Sequence, residues 1–248
     1  MLAVLLATLT GASSFAAEPP LVVFVASQVP PKMFIDAAGK PSGFITELTE
    51  AVVRRAGYAP DIRPMPWIRA VKLAEIGGGV VTGFSKNPDR EKIFNFSIPI
   101  YEDRVQLIVL KQTHMNAETL ADLKGKRLGI QRGSSYGAAF DAALADIQED
   151  RDDGNDLRLK KLAAGHIDAA IISGGMAGLR YSAKLAGIPL TDLIAQKKAV
   201  AIDLNFIGVA KSRSDQAEIL EKLNAAIAAI MSDGTATKIM MAWDGGVK

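Results

Sequence analysis

Two successive runs of alternating strand-like and helix-like segments constrain this chain more than any other feature. Leu21–Ala26 (LVVFVA) is a short β-branched and aromatic run that reads as a buried strand. Phe44–Ala56 puts Ile45, Leu48, Val52 and Ala56 on one helical face and stops at Gly57, a natural residue for leaving a helix. Residues 62–64 read as extended, Pro66 suits a first helical position, and a short helix follows over Ile68–Ile76. Val80–Thr82 is strand-like again. This rhythm belongs to a parallel sheet covered by helices.

The rhythm restarts after Lys111. A polar stretch, 112–116, separates a strand at Val105–Leu110 from a helix expected over Ala117–Leu123. Then come a strand at Arg127–Gln131, a helix over Ser135–Ile147, a strand at Asp168–Ile172 and a helix over Met176–Ala186. Two extended pieces, Ala199–Ile202 and Phe206–Val209, lead into a long helix over Asp215–Ser232. That helix carries an Asp215-x-x-Glu218 capping pattern and ends before Gly234. The simplest account is an α/β chain of two similar lobes, each a mostly parallel sheet flanked by helices.

Composition removes several function classes. With 248 residues, 49% apolar and 23% charged, the chain can bury real cores, which excludes disorder, collagen and coiled coil. Twenty-nine Lys and Arg against 27 Asp and Glu leave +2, with no long basic run, so nucleic acid is not an expected partner. The absence of cysteine excludes disulfides, thiolate nucleophiles, Cys-based metal sites and the lipid-attachment Cys of bacterial lipoproteins. Only His114 and His166 remain as imidazole ligands, so neither a metal nor a cofactor is expected.

Residues 1–17 carry no charge and pass from an aliphatic stretch (Leu2–Leu9) into small residues, with Ser14-x-Ala16 a plausible signal-peptidase site. A membrane span needs roughly 20 apolar residues, more than this stretch supplies. The segment is read as a signal peptide, giving an exported, periplasmic chain with no lipid anchor.

Met65-Pro66-Trp67, then Val81-Thr82-Gly83-Phe84-Ser85-Lys86-Asn87-Pro88-Asp89-Arg90-Glu91-Lys92 and Phe96-Ser97-Ile98-Pro99, fall in an order with meaning. So do Leu123–Ser135 (LKGKRLGIQRGSS) and Leu162–Ala170 (LAAGHIDAA), followed by Gly208-Val209-Ala210-Lys211 and Asp233-Gly234-Thr235. Together they resemble the family 3 bacterial extracellular solute-binding proteins over nearly the whole mature chain. The resemblance implies a monomeric, non-enzymatic receptor of an ABC importer with the type II periplasmic binding fold. It would hold a polar amino acid or related small carboxylate between two closing lobes and deliver it to a membrane permease. Lobe I would be 18–109 plus the return segment 204–248, and lobe II 110–203, with hinge crossings near Leu110 and Leu204. Small-ligand clefts between lobes and hinge closure fit that arrangement.

The same resemblance assigns roles. Arg90 matches the arginine that clamps the ligand's carboxylate, a task suited to a planar, permanently charged fork. Ser85 and the backbone of Gly83 match a loop that adds hydrogen bonds, with Thr82 and Phe84 alongside. Ser134 and Ser135, between a strand and a helix, would offer amides and hydroxyls to the carboxylate, and Trp67 would form an aromatic wall. One position departs. Where amino-acid receptors of the family place an acid for the α-ammonium, this chain has Ser173, and an unpaired buried ammonium is costly. Glu47 and Asp103 are the alternative acids, and the ligand class widens to small carboxylates.

Three other readings compete. Gly133-Ser134-Ser135-Tyr136-Gly137 fits G-x-S-x-G, which would make Ser135 a hydrolase nucleophile with His166 the available base. A cyclohexadienyl dehydratase-like enzyme on the same fold would need a titratable group beside the bound carboxylate. A ligand-sensing domain would signal through a separate protein.

Overall fold

The computed structural model describes residues 18–115, 117 and 119–244; the signal peptide expected at 1–17 lies outside them. The chain runs β1 (Pro20–Ala26), β2 (Gln28–Val29), β3 (Met33–Ile35), β4 (Pro41–Ser42), α1 (Phe44–Arg55), β5 (Ala59–Met65), α2 (Trp67–Glu75), β6 (Val80–Ser85), α3 (Pro88–Ile93) and β7 (Phe94–Phe96). Next come β8 (Tyr101–Leu110), β9 (Arg127–Gln131), α4 (Ala138–Ala143), β10 (Gln148–Asp152), α5 (Asn155–Ala163), β11 (Ala169–Ile172) and α6 (Gly175–Ala186). The return is made by β12 (Leu193–Ala195), β13 (Ala201–Ala210), α7 (Gln216–Ser232) and α8 (Thr235–Asp244).

The main sheet has the order β10-β9-β11-β8-β13-β6-β1-β5. At one end β5, β1 and β6 are mutually parallel; at the other, β10, β9 and β11 are parallel. β8 and β13 run antiparallel to their neighbours and to each other, and their mutual ladder (residues 101–105 against 205–201) joins the two halves. The two outermost strands differ from the apolar interior ones. β5 contains Pro60 and Pro64, and β10 reads Gln-Glu-Asp-Arg-Asp, both suited to an edge.

Each half has its own core on both faces of its sheet, as side-chain alternation requires. In β1, Val23 and Val25 face α1 and α7, while Phe24 faces α2 among Ala70, Ala74 and Phe84. In β11, Ala169 and Ile171 face one cluster with Leu128 and Phe140, and Ala170 and Ile172 face another with Leu159 and Leu179. Fully burying an aliphatic side chain of this size contributes roughly 1.5–3 kcal/mol, and each half has its own set of such residues. Tyr101 packs against the first core and Val105 belongs to the second, so β8 changes core within the ladder. Beneath β10, the fully buried Arg158 donates to Asp152 Oδ1 at 2.6 Å and to the Ile171 carbonyl at 2.7 Å, which ties the charged edge strand to α5.

Several local expectations give way to specific contacts. The helix expected over 117–123 is a 3-10 turn at Leu120–Leu123, started by Thr119 and Asp122, whose carboxylate accepts from the Thr119 amide. The helix expected over 135–147 is only Ala138–Ala143 plus a 3-10 turn, because Gly133 and Gly137 adopt positive φ and lift Ser134 and Ser135 out of it. Asp215 precedes α7 but does not cap it, its carboxylate being held by the Arg213 guanidinium at 2.7 and 2.9 Å. Pro66 precedes α2 in an extended conformation rather than opening it. The two extended pieces around residue 204 are one strand, β13, and the sequence pattern did not anticipate β10, α5 or α8.

Candidate ligand-binding site

A cavity with about 360 Å³ of empty space, partly open to solvent, lies where the halves meet over the β8–β13 ladder. Trp67, Gly83, Ser85, Arg90, Ser134, Ser135 and Ser173 all line it. The topology explains the convergence. Ser85 and Ser173 sit at or just past the ends of β6 and β11, Trp67 opens the helix after β5, and Ser134 and Ser135 follow β9, so strand ends of both halves face one space. Open α/β sheets place ligands at this edge.

Arg90 comes from the short α3, whose start is fixed by Asn87 accepting from the Arg90 amide at 2.8 Å. Its guanidinium lies 4.4 Å from the centre of the Phe84 ring. Nη1 donates to the Ser85 carbonyl at 2.8 Å, and Nη2 reaches across to the Gly133 carbonyl of the other half at 3.0 Å. Burial lowers its pKa to about 10, so it remains a cation at neutral pH with N–H donors left over. Phe84 in turn stacks on Phe96 and meets Phe94 edge-on, which backs that platform with aromatic packing.

Around this cation the polar groups are ordered. Ser85 Oγ donates to Asp203 Oδ2 at 2.6 Å, and Asn205 Nδ2 donates to the same oxygen at 2.8 Å. Burial pushes the Asp203 carboxyl up to about 6. Lys32 Nζ is 2.5 Å from Asp103 Oδ2, and the Gly174 amide donates to Asp103 Oδ1 at 2.8 Å. Ser135 Oγ donates to Asp141, while the Ser134 amide is spent on the Gln131 carbonyl at 3.1 Å. Trp67 meets Phe84 edge-on at 5.9 Å, and its buried Nε1 has no partner among the described residues. Gly83 has φ +66°, and a Cβ there would stand 2.6 Å from Met33 Cε.

Sequence reasoning missed Lys32, Met33, Gln131, Tyr136 and Asp203, which line the same cavity. Asp203 carried a signal, as an acid inside an otherwise apolar extended run. Of the alternative acids, Asp103 is buried beneath Lys32, whereas Glu47, on α1, lines a separate groove with Phe34, Tyr181 and Trp243. The loop Ser134–Ser135 is not at a helix N-terminus, since α4 begins only at Ala138.

The hydrolase geometry fails. β9 and β11 are parallel; Ser135 follows the C-terminal end of β9 and His166 precedes the N-terminal end of β11, so they lie at opposite ends of the sheet. Ser135 Oγ is bonded to Asp141 instead, and no acid–base–nucleophile relay forms.

Two lobes, a cleft of convergent polar groups over a crossing ladder, and a guanidinium bridging the cleft define a hinged small-molecule receptor. The chain matches the bacterial extracellular solute-binding proteins, family 3, over residues 21–246, and it belongs to that family of non-enzymatic binding proteins. It is 28% identical to ABC transporter arginine-binding protein 1 of Escherichia coli K12 over 255 aligned positions, covering 98% of this chain and 97% of that one. The L-cystine-binding protein TcyJ of Escherichia coli K12 is 25% identical, over 91% of this chain and 82% of TcyJ. The fold resembles the solved structure of an ancestral arginine-binding protein bound to arginine with a TM-score of 0.78 and 27% identity, over 92% and 99% of the two chains. No helix among the described residues is long and apolar enough to cross a membrane.

Proposed function

We propose that this protein is an exported, monomeric periplasmic receptor without a lipid anchor. It closes on a polar amino acid or related small carboxylate and delivers it to the permease of an ABC importer. The observation that carries this reading is Arg90, a cation on an aromatic platform whose fork donates to a carbonyl of each half. A ligand carboxylate entering the cavity takes the donors that Gly133 now uses and adds the Ser134–Ser135 loop and Trp67 Nε1 as further contacts. The lobes, expected at 18–109 with 204–248 and at 110–203, hinge on the β8–β13 ladder, with the first crossing at 101–105 rather than near Leu110, since Val105, Leu107 and Val109 pack in the second core. Closure is a population shift, because only the closed form lets the ligand touch both lobes. Relatives named for arginine and cystine favour an amino acid within the carboxylate class.

The test is a thermal-unfolding screen of the mature protein against amino acids, dicarboxylates, aromatic acids and uncharged sugars. A ligand at a hundred times its Kd adds about 2.7 kcal/mol, a shift of several degrees. Arg90→Ala should abolish the shift, since removing a charge-assisted contact in a cleft costs about 2–5 kcal/mol. A full shift in Arg90→Ala would refute the site.

A further inference from the structure

Asp103, Asp141 and Asp203 are the buried or bonded carboxylates beside the site residues, and they differ in what they have left to give. Asp103 has both oxygens engaged, Oδ2 by Lys32 and Oδ1 by the Gly174 amide. Asp141 accepts from Ser135 Oγ on Oδ2 and from the Tyr136 amide on Oδ1 at 3.4 Å. Asp203 takes both of its side-chain donors on Oδ2, and Oδ1 accepts from none of the described residues. Of the three, Asp203 is the one that lines the inner cavity, and it is only 5% exposed. Among the described residues no ammonium or guanidinium forms an ion pair with it; Lys32, whose charge is felt there, pairs with Asp103.

The charges therefore cancel in pairs. Lys32 offsets Asp103, which leaves one cation, Arg90, and one anion, Asp203, on the same cavity wall. Ser85 fixes their spacing, its carbonyl accepting from Arg90 and its hydroxyl donating to Asp203. A dipolar wall of this kind is complementary to a ligand carrying a carboxylate and an ammonium close together.

Resting on the receptor reading above, we propose that Asp203 is the acceptor of the ligand's α-ammonium, taking from the second crossing strand the role that Ser173 cannot play. The ligand class is thereby narrowed to α-amino acids. A buried carboxylate raised to about 6 by desolvation is short of a cation, and a ligand ammonium on Oδ1 supplies it. Because the acceptor lies on the ladder where the lobes cross, the ammonium contacts the hinge, and Ser173 is left with its backbone carbonyl accepting from Asn155.

The experiment pairs each L-amino acid, with L-cystine and L-ornithine added, against its deaminated acid, for example L-arginine against 5-guanidinopentanoate, by calorimetry at pH 7.5. For the wild type, the best amino acid should bind at least 100-fold more tightly than its deaminated partner. Asp203→Asn should remove at least 50-fold of the amino-acid affinity and move the deaminated acid by less than threefold. Equal affinity for the two acids in the wild type, which needs no variant, overturns the proposal and leaves the receptor reading standing. Equal losses for both acids in Asp203→Asn, or none, do the same. A chain that binds no compound, or an Arg90→Ala protein that binds normally, overturns the receptor reading itself.

Discussion

Asp103 and Asp203 occupy one rung of the antiparallel ladder between the two crossing strands, so two buried carboxylates face each other where the halves of the molecule join. Their surroundings separate them. Asp103 has an ammonium and an amide, and Asp203 has a hydroxyl and a carboxamide. The pair is tolerable because Lys32 neutralises one member, while the Asp103 charge adds to the burial that raises the Asp203 carboxyl.

An unliganded Asp203→Asn protein should be more stable than the wild type at neutral pH. The folded-state carboxyl sits at about 6 against an ordinary 3.8. A raised carboxylate disfavours the ionised native state, so stability falls as pH rises from about 3.8 to about 6 and is level above that. At about 1.4 kcal/mol per unit, asparagine gains up to about 3 kcal/mol at pH 7.5 and nothing at pH 3.5. Lys32, Asp103 and Arg90 are the charged groups acting on Asp203, and none is altered in this variant. Urea melts at the two pH values check this; an asparagine variant weaker than wild type at pH 7.5 would show that the charge is compensated within the protein.

That rung also explains how far the sequence could be read. The strand–helix rhythm was legible because β1, β6, β9 and β11 are apolar, and Trp67, Gly83, Ser85, Arg90, Ser134, Ser135 and Ser173 converge on one cavity, whereas Thr82 and Phe84 are buried behind its lining. The crossing strands were read short, at 105–110 and in two pieces around 204, because Glu102, Asp103, Arg104 and Asp203 interrupt the apolar pattern just where the site lies. Periodicity equates burial with hydrophobicity, so buried acids held by a lysine and a serine are invisible to it. β10 is hidden for a related reason, its five residues all being polar and its buried member being Asp152, whose Oδ1 accepts from Arg158.

Lys32→Met should destabilise the protein by about 3–5 kcal/mol, because it leaves Asp103 ionised and buried without its ammonium. Adding Asp103→Asn should recover most of the loss, since an amide oxygen still accepts from Gly174 and carries no charge to strand. Denaturant melts of the two single variants and the double variant measure the coupling. Additive losses would mean that the pair does not act as one unit.

Gly83→Ala tests the cavity wall. The left-handed backbone at φ +66° costs an L-residue roughly 1–2 kcal/mol, and the new methyl would meet Met33 Cε at 2.6 Å. The expected loss is about 2–4 kcal/mol, with Met33 displaced toward the cavity. A melt within about 0.5 kcal/mol of wild type would show that the β6 backbone relaxes freely there.

Arg90→Lys separates charge from geometry at the centre of the site. Lysine keeps the positive charge but loses the planar fork that spans the Ser85 and Gly133 carbonyls and the flat contact with Phe84. A lysine ammonium is also more strongly hydrated, so placing it on that platform forfeits part of what the guanidinium gains. Affinity for the best carboxylate ligand should fall roughly 10- to 100-fold, or about 1.4–2.7 kcal/mol. The loss should be smaller than in Arg90→Ala, and it should appear in the off-rate, where most losses of a single contact fall. Stopped-flow binding with both variants reads the split. If lysine restores the wild-type off-rate, a point charge is enough, and the bidentate grip on the carboxylate is refuted.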